Sequence, residues 1–221
     1  MSSIASHAEV LKLARLLGVD EKAVSFLVEY DALAIRALRE QMTAQLYDDG
    51  KAMLQKVAAA TKLTPTGISA VIAEKALGPL LCARVASLLG AEKAIDISKR
   101  LSAPFLAEVC LHLDPRRATE IIRGTPIEQV LAVSKILLAQ KEFVTMARFL
   151  DALTPEAIKA VINDTPDEEP LLRIALFAEN PELHNELVSY LPKPRHKSLI
   201  TKAAVDAELW SDALSLMTHL D

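Results

Sequence analysis

A ten-residue pattern recurs along the chain and limits what it can fold into. The pattern is Leu, any residue, Pro, five residues and then an aliphatic pair, and its copies begin at Leu63, Leu77, Leu113 and Leu153. The last three copies start 36 and 40 residues apart. Repetition at such a period is typical of proteins built from stacked pairs of helices.

The chemistry of the pattern is that of a helix start. Proline fits the first position of a helix, where no backbone hydrogen bond is lost. The residue before it is Thr64, Asp114 or Thr154 in three copies, and each of these side chains can accept a hydrogen bond from a free amide as an N-cap. The pattern therefore predicts that one short helix ends, the chain turns sharply, and another helix begins.

The composition favours helices throughout. Apolar residues make up 51% of the chain but aromatic residues only 4%, and the apolar residues are mostly Ala and Leu, which are strong helix formers. The net charge is −4 with histidine neutral, so the chain has no basic excess that would favour nucleic acid as a partner.

We therefore predict an all-α fold, an α-solenoid or right-handed superhelix of about 12–14 short antiparallel helices with a repeat unit of 36–40 residues. The simplest organisation is a single domain over residues 1–221. Residues 1–62 would be atypical N-terminal capping helices, 63–192 the repeats, and 193–221 the C-terminal cap. A softer joint near Gly50 or within residues 164–170 is an alternative. In the capping segment we expect helices near residues 4–17, 21–29, 31–47 and 50–61.

Two helices carry specific expectations about burial. Near residues 31–47, an apolar line is expected to face the core through Ile35, Leu38, Met42 and Leu46. The stretch GPLLCARVASLL, residues 78–89, is apolar nearly all round, which predicts a central, well-covered helix. Arg84 is its only charge, so a buried Arg84 in a pocket would be the starting point for an enzyme hypothesis.

The repeated segments resemble the intracellular N-terminal superhelical domain of the MgtE magnesium transporters and, more distantly, the armadillo-like modules of the flagellar switch protein FliG. The stretches that carry the resemblance are LTPTGISAVI, LDPRRATEII and LTPEAIKAVI, within residues 63–191. The resemblance implies a helical superhelix that docks onto another structure. In the transporters, that structure is a nucleotide-binding-like domain and a membrane channel, and the fold contributes to magnesium sensing.

Motifs for catalysis or cofactor binding are absent from the sequence. The chain contains no GxGxxG, GxxxxGK[ST], HExxH or GxSxG motif, and its histidines are scattered. Cys82 and Cys110 are expected to be buried, reduced thiols. We predict no catalytic residue, no cofactor and no metal site. The weak metal candidates are the acids of DTPDEEP, namely Asp164, Asp167, Glu168 and Glu169, which more often form a solvated loop that opens a helix.

The candidates for partner binding are basic residues and the single tryptophan. One basic cluster follows the third proline turn, and another surrounds a turn near the end of the chain. Arg148 lies in a polar stripe with Glu142, Thr145 and Asp151. The complete set is Arg116, Arg117, Arg123, Arg148, Lys193, Arg195, Lys197 and Trp210. A solvated face with local ion pairs is the alternative for the basic residues.

The sequence favours a non-enzymatic protein-binding scaffold. No apolar run is long enough to span a bilayer, and the first residues lack the pattern of a signal peptide. We therefore expect a cytoplasmic chain whose partner is another protein. The alternative is a ligand- or Mg²⁺-responsive regulatory module, as the resemblance implies. The identity of the partner and the oligomeric state cannot be derived from these residues.

Overall fold

A computed structural model describes residues 4–48, 50–180 and 182–205. This part of the chain is helical and contains no strand, so the predicted all-α fold class is confirmed. The α-helices are α1 (Ile4–Leu17), α2 (Ala32–Asp48), α3 (Lys51–Leu63), α4 (Thr66–Ile72), α5 (Gly78–Ala86), α6 (Ala91–Ser98), α7 (Ala103–His112), α8 (Thr119–Arg123), α9 (Ile127–Ala139), α10 (Phe143–Phe149), α11 (Pro155–Asp164), α12 (Glu168–Leu176), α13 (Glu182–Tyr190) and α14 (Lys193–Val205).

The chain divides into two compact units. Unit 1 combines residues 1–49 with residues 168–221, and unit 2 is the continuous segment 50–167. The boundaries fall at Gly50 and after Asp167, where the sequence offered a joint as an alternative. The prediction of a single helical-repeat domain, with its internal boundaries at 62/63 and 192/193, stays a prediction.

Unit 2 contains α3 to α11, and most of these helices contact the second helix along the chain, whereas α10 contacts α9. The odd-numbered helices follow one another in contact from α3 through α5, α7 and α9 to α11, while α4 contacts α6 and α6 contacts α8. The main core lies beneath α5, α7 and α8 and contains Ala83, Val109, Leu113, Ala118, Ile122 and Ala152. Small and medium side chains dominate it, so the helices can approach closely.

The proline turns of unit 2 differ from one another. At Thr154 the prediction is confirmed, since its hydroxyl accepts a hydrogen bond from the Ala157 amide at 3.3 Å and Pro155 is the first residue of α11. At Asp114, the side chain caps a three-residue 3₁₀ helix, Pro115–Arg117, and α8 begins only at Thr119. At Thr64 the N-cap prediction is wrong. Its hydroxyl instead donates to the Ala60 carbonyl at 2.9 Å, at the end of α3, a bond that competes with capping.

Unit 1 contains α1, α2 and α12 to α14. Helix α1 packs on α2 around Val10, Leu13, Ala14, Val24 and Ile35, and α12 packs on α14. The helix expected near residues 21–29 is instead two short 3₁₀ helices, Glu21–Ala23 and Ser25–Glu29. The apolar line predicted for α2 is wrong in part: Ile35 is buried, but Leu38 and Leu46 are exposed. The polar Arg39 occupies the buried side instead.

The lengths and composition of the helices bear on a membrane location. None of the helices in the described ranges is both long and apolar enough to cross a bilayer.

Candidate protein-binding surface

Unit 2 exposes an unusual set of large apolar side chains between α3 and α5. Leu63 is 89% exposed, Ile68 53% and Leu80 52%. We call the whole set the α3–α5 surface, and its members are Met53, Leu63, Ile68, Val71, Ile72, Leu80 and Leu81. Isolated exposed apolar residues are ordinary, but three at helical spacing on α4, with others on the helices before and after it, make this segment a candidate interaction surface.

Helix α4 shows how the local fold creates this surface. Its small residues Ser69 and Ala70 are buried, as is Ala73 just after it, and the helix packs on α6. Ile68, Val71 and Ile72 lie at spacings of three and four and are exposed, so they share the face that does not meet the core. The usual arrangement is thus inverted, with small residues inside and large apolar residues outside.

Helix α5 contradicts the expectation of a well-covered helix. Ala83 and Val85 are buried, but Leu80 and Leu81, in the first turn, are exposed. The helix contacts α3, α7 and the short π-helix Ala73–Leu77, and these neighbours leave Leu80 and Leu81 exposed. Arg84 is partly exposed, so it does not occupy the buried position on which the enzyme hypothesis depended.

Polar contacts fix the backbone that carries the surface. The Lys93 ammonium donates to the Thr64 carbonyl at 2.7 Å, between α3 and α4. Glu74 accepts a hydrogen bond from the Ser102 amide at 2.6 Å, just before α7. The bonds from the backbone and side chain of Ser102 hold the pKa of Glu74 below its ordinary value. Gly78, with a φ of +74° and a ψ of 169°, makes the turn into α5 in a conformation that is open almost only to glycine.

The same segment is strongly basic. Five basic residues and one acid, Glu74, lie between residues 50 and 90, so this stretch carries a net charge of +4 in a chain whose total is −4. Lys56, Lys62 and Lys75 are exposed. Lys56 follows Met53 by three positions, and Lys75 follows Val71 by four, so the exposed cations accompany exposed apolar side chains on the same helical segments.

The first predicted arginine cluster lies elsewhere in unit 2. Arg116 and Arg117 are exposed on the 3₁₀ helix after α7, and Arg123 is exposed at the end of α8. The Arg117 Nε atom lies 3.4 Å from an Asp114 carboxylate oxygen, and the Arg116 amide donates to the same carboxylate. These arginines remain candidates for partner binding, with two of them tied to the local turn.

Arg148 has an internal contact. Its guanidinium donates to the Leu113 carbonyl at 3.0 Å, which closes the end of α7. The polar stripe predicted around it is wrong at Thr145, which is fully buried and donates to Glu142.

The two cysteines have raised pKa values. Burial raises the pKa of Cys110 to about 12, although the charge of Arg148 acts in the opposite direction. Burial likewise raises the pKa of Cys82 to about 11, so both thiols are protonated at neutral pH.

The second predicted basic cluster lies in unit 1. Lys193 and Lys197 are exposed, while Arg195 is partly buried and its Nε atom lies 3.0 Å from Glu168 Oε1. Glu168 is buried and also accepts from the Ser198 hydroxyl at 3.2 Å. Burial alone would raise the pKa of Glu168, but the bonds from Arg195 and Ser198 and the charge of Arg195 hold it below its ordinary value. Trp210 lies outside the described residues.

Three of the four acids named as weak metal candidates lie beside a cation. Asp164 pairs with Lys135 at 3.2 Å, Glu169 with Arg173 at 3.0 Å, and Glu168 with Arg195; Asp167 is partly buried. Within the described ranges, no group of three or more His, Cys, Asp or Glu side chains is placed to hold a metal ion. The Mg²⁺-responsive alternative stays a prediction.

A buried ion cluster in unit 1 was not predicted from the sequence. Glu9 is 1% exposed. Its carboxylate is bound by Lys12 at 3.0 Å, Arg36 at 3.2 Å and Arg39 at 2.9 Å. Glu179, which lies 140 residues after Arg39 in the sequence, pairs with Lys12 at 3.2 Å and with Arg39 at 2.8 Å. The sequence signal was weak because charged residues on an amphipathic helix usually mark its solvent face.

The chain matches no protein-family model, and comparisons with curated proteins and with solved structures found no similar protein. The resemblance to the MgtE and FliG helical modules therefore stays a prediction.

Proposed function

We propose that the protein is a non-enzymatic binding module whose α3–α5 surface binds another protein. The observation that carries the proposal is the exposure of Ile68, Val71 and Ile72 on one face of α4, close in the chain to the exposed Leu63 and Leu80. Covering such side chains removes apolar area from water, at roughly 25 cal/mol per Å². Burial of this face by a protein partner would therefore stabilise the complex.

The pairing of helices within unit 2 supports the same function. Helices α3, α5, α7, α9 and α11 contact one another in succession, and so do α4, α6 and α8. Rows of this kind present extended surfaces, which helical-repeat proteins commonly use for binding. The α3–α5 surface belongs to the first helices of these rows.

A paired-bait experiment tests the proposal. The full chain, Ile68→Glu and Ile200→Glu are each immobilised and exposed to native lysate, and captured proteins are quantified by mass spectrometry. Ile200 is a matched control because it is an exposed isoleucine of similar accessibility on α14. We expect at least one protein to be captured by the wild type and by Ile200→Glu but lost with Ile68→Glu. Equal capture by all three baits would contradict the proposal.

Folding of the baits must be shown separately. Ile68 is exposed, so Ile68→Glu should change the free energy of unfolding by less than about 0.5 kcal/mol. Circular dichroism during urea unfolding provides this check. If Ile68→Glu has wild-type stability but no longer captures the protein, the loss of binding is due to the altered surface and not to unfolding.

A further inference from the structure

The α3–α5 surface combines two properties that constrain its occupant. Its large side chains are apolar, with Ile68, Val71 and Ile72 on one helical face. Exposed ammonium groups accompany them at Lys56, Lys62 and Lys75. A partner that covers both kinds of group needs an apolar stripe and carboxylates beside it.

The one acid of the segment is engaged within unit 2. Glu74 accepts a hydrogen bond from the Ser102 amide at 2.6 Å, so its carboxylate points to the start of α7. No other acid lies between residues 50 and 90, where Lys56, Lys62 and Lys75 are exposed. Because opposite charges attract and like charges repel, this surface favours acidic partners and disfavours basic ones.

The spacing of the exposed groups fits a helical partner. Exposed apolar residues on α4 recur at three and four positions, which is the spacing of a helix that packs against another helix. We infer that the α3–α5 surface binds an acidic amphipathic helix, whose apolar stripe covers Ile68, Val71 and Ile72 and whose flanking carboxylates pair with Lys62 and Lys75. This inference rests on the proposed function and adds the chemistry of the partner.

Two peptide libraries test the inference. Both display peptides of about 16 residues, long enough for a helix to form on binding. They share the same randomised apolar positions at helical spacing. The remaining positions are Glu or Asp in one library and Lys or Arg in the other. Selection on the immobilised full chain is expected to enrich acidic sequences, and the basic library should yield none of comparable affinity. Equal or better binding from the basic library would overturn the inference.

Charge reversals on the protein supply the matched comparison. Lys62→Glu with Lys75→Glu should weaken the Kd of the selected acidic peptides by about tenfold or more, and added salt should weaken their binding to the wild type. Lys22→Glu with Lys141→Glu makes the same change in net charge at two other exposed lysines and should leave the Kd unchanged. If both double variants bind alike, the peptides do not use the surface lysines and the inference fails.

The variant Ile68→Glu separates this inference from the proposed function. Selected peptides that lose affinity for Ile68→Glu but are indifferent to Lys62→Glu with Lys75→Glu would show that the surface binds helices without selecting acids. In that case only the inference about the partner is overturned. Peptides that bind Ile68→Glu as well as the wild type would show that the surface itself is not used.

Two other occupants have distinct outcomes. Binding of the chain to vesicles of phosphatidylcholine with phosphatidylserine, lost with Lys62→Glu and Lys75→Glu, would identify an anionic membrane as the occupant and overturn the inference. A dimer in sedimentation equilibrium that dissociates with Ile68→Glu would identify a second copy of the chain and overturn it as well. We expect no vesicle binding and no effect of Ile68→Glu on the molecular mass.

Discussion

Glu9 lies in the core of unit 1, and cations bind both of its carboxylate oxygens. Arg39 binds Oε2, and Lys12 and Arg36 bind Oε1. Moving such charges out of water is costly, and only their mutual attraction and hydrogen bonds offset that cost. Removing one member therefore changes the free energy of unfolding by more than the intact cluster contributes to it, because the other charges stay buried without their partner.

Replacing this carboxylate should be strongly destabilising. We expect Glu9→Gln to lower the free energy of unfolding by about 3 kcal/mol, because Lys12 and Arg39 are also buried and lose a counter-charge. The control is Asp96→Asn, the same chemical change in an exposed pair with Lys99, which should cost less than about 0.5 kcal/mol. Urea unfolding followed by circular dichroism measures both, and equal effects would contradict the prediction.

Glu168 predicts a dependence of stability on pH. Its pKa in the folded chain is held below the ordinary value of about 4.3, so the unfolded chain binds its proton first as the pH falls. The stabilisation from Glu168 is therefore complete above that ordinary value and is lost as the pH falls through the lower folded pKa. We expect Glu168→Gln to be less stable than the wild type at pH 7 and the difference to narrow below about pH 4.

The partly exposed neighbour Glu169 serves as the control for that titration. Glu169→Gln should show a smaller difference from the wild type, since its pair with Arg173 is partly exposed. Thermal unfolding across the pH series reports the difference for each variant. A gap between wild type and Glu168→Gln that stays constant down to pH 3 would contradict the prediction.

Single residues were the hardest scale to predict from the sequence. Leu38 and Arg39 are adjacent on α2, and the apolar pattern assigned Leu38 to the core. The structure buries Arg39 because Glu9 and Glu179 supply its counter-charges, and Glu179 is too far away in sequence for a periodic pattern to reveal. Lys93 and Glu74 likewise owe their roles to partners 28 or 29 residues away.

Among the helices, the proline turns that looked equivalent in sequence perform different local tasks. Thr154 caps α11 through its hydroxyl, while Thr64 donates back into α3. The two hydroxyls differ because Thr154 stands at the start of α11, whereas Thr64 stands at the end of α3. The proline favours an extended conformation in the residue before it and a turn, but it does not determine which group the threonine hydroxyl binds.

The two threonines provide a matched pair of substitutions. We expect Thr154→Ala to lower the free energy of unfolding by about 1 kcal/mol, because the Ala157 amide loses its acceptor. Thr64→Ala should cost about 0.5 kcal/mol or less, since its bond to the Ala60 carbonyl adds little to a helix. Urea midpoints of the two variants test this, and a Thr64→Ala that costs as much as Thr154→Ala would count against the capping assignment.

The positions of helices were predicted from the sequence more completely than the burial of single residues. The helices expected near residues 4–17, 31–47 and 50–61 correspond to α1, α2 and α3, since propensity and periodicity act within a single helix. The burial of α5 could not be predicted in the same way. A helix that is apolar on all sides gives no signal of which side its neighbours leave open, and the exposed Leu80 and Leu81 became apparent only once the contacts of α5 with α3 and α7 were known.

At the scale of the whole molecule, the two units differ in whether they are formed by one segment of the chain or by two. Unit 2 is one continuous segment, and unit 1 is assembled from both ends of the chain. In unit 1, the ion cluster joins α1 and α2 to Glu179. The candidate surface belongs wholly to unit 2, so the proposed binding can be tested in that unit if it folds alone.

Fragments test the independence of the units. Residues 50–167 expressed alone should be helical by circular dichroism and unfold cooperatively in urea, because the core around Ala83, Val109 and Ile122 lies entirely within them. Residues 1–49 alone should not fold cooperatively, since Lys12 and Arg39 would lack Glu179. If neither fragment folds and the full chain unfolds in a single transition, the predicted single domain over residues 1–221 describes the chain better.

The interrupted path of unit 1 also sets an order of events during synthesis on the ribosome. The chain is made from its N-terminus, so α1 and α2 emerge with Glu9, Lys12 and Arg39 while Glu179 has yet to be translated. At roughly 5–20 residues per second, about 130 further residues delay that partner by roughly 6 to 26 seconds. Unit 2 is complete before then. We therefore expect residues 50–167 to fold before Glu179 can pair with Lys12 and Arg39, so that the ion cluster of unit 1 is completed after unit 2 has formed.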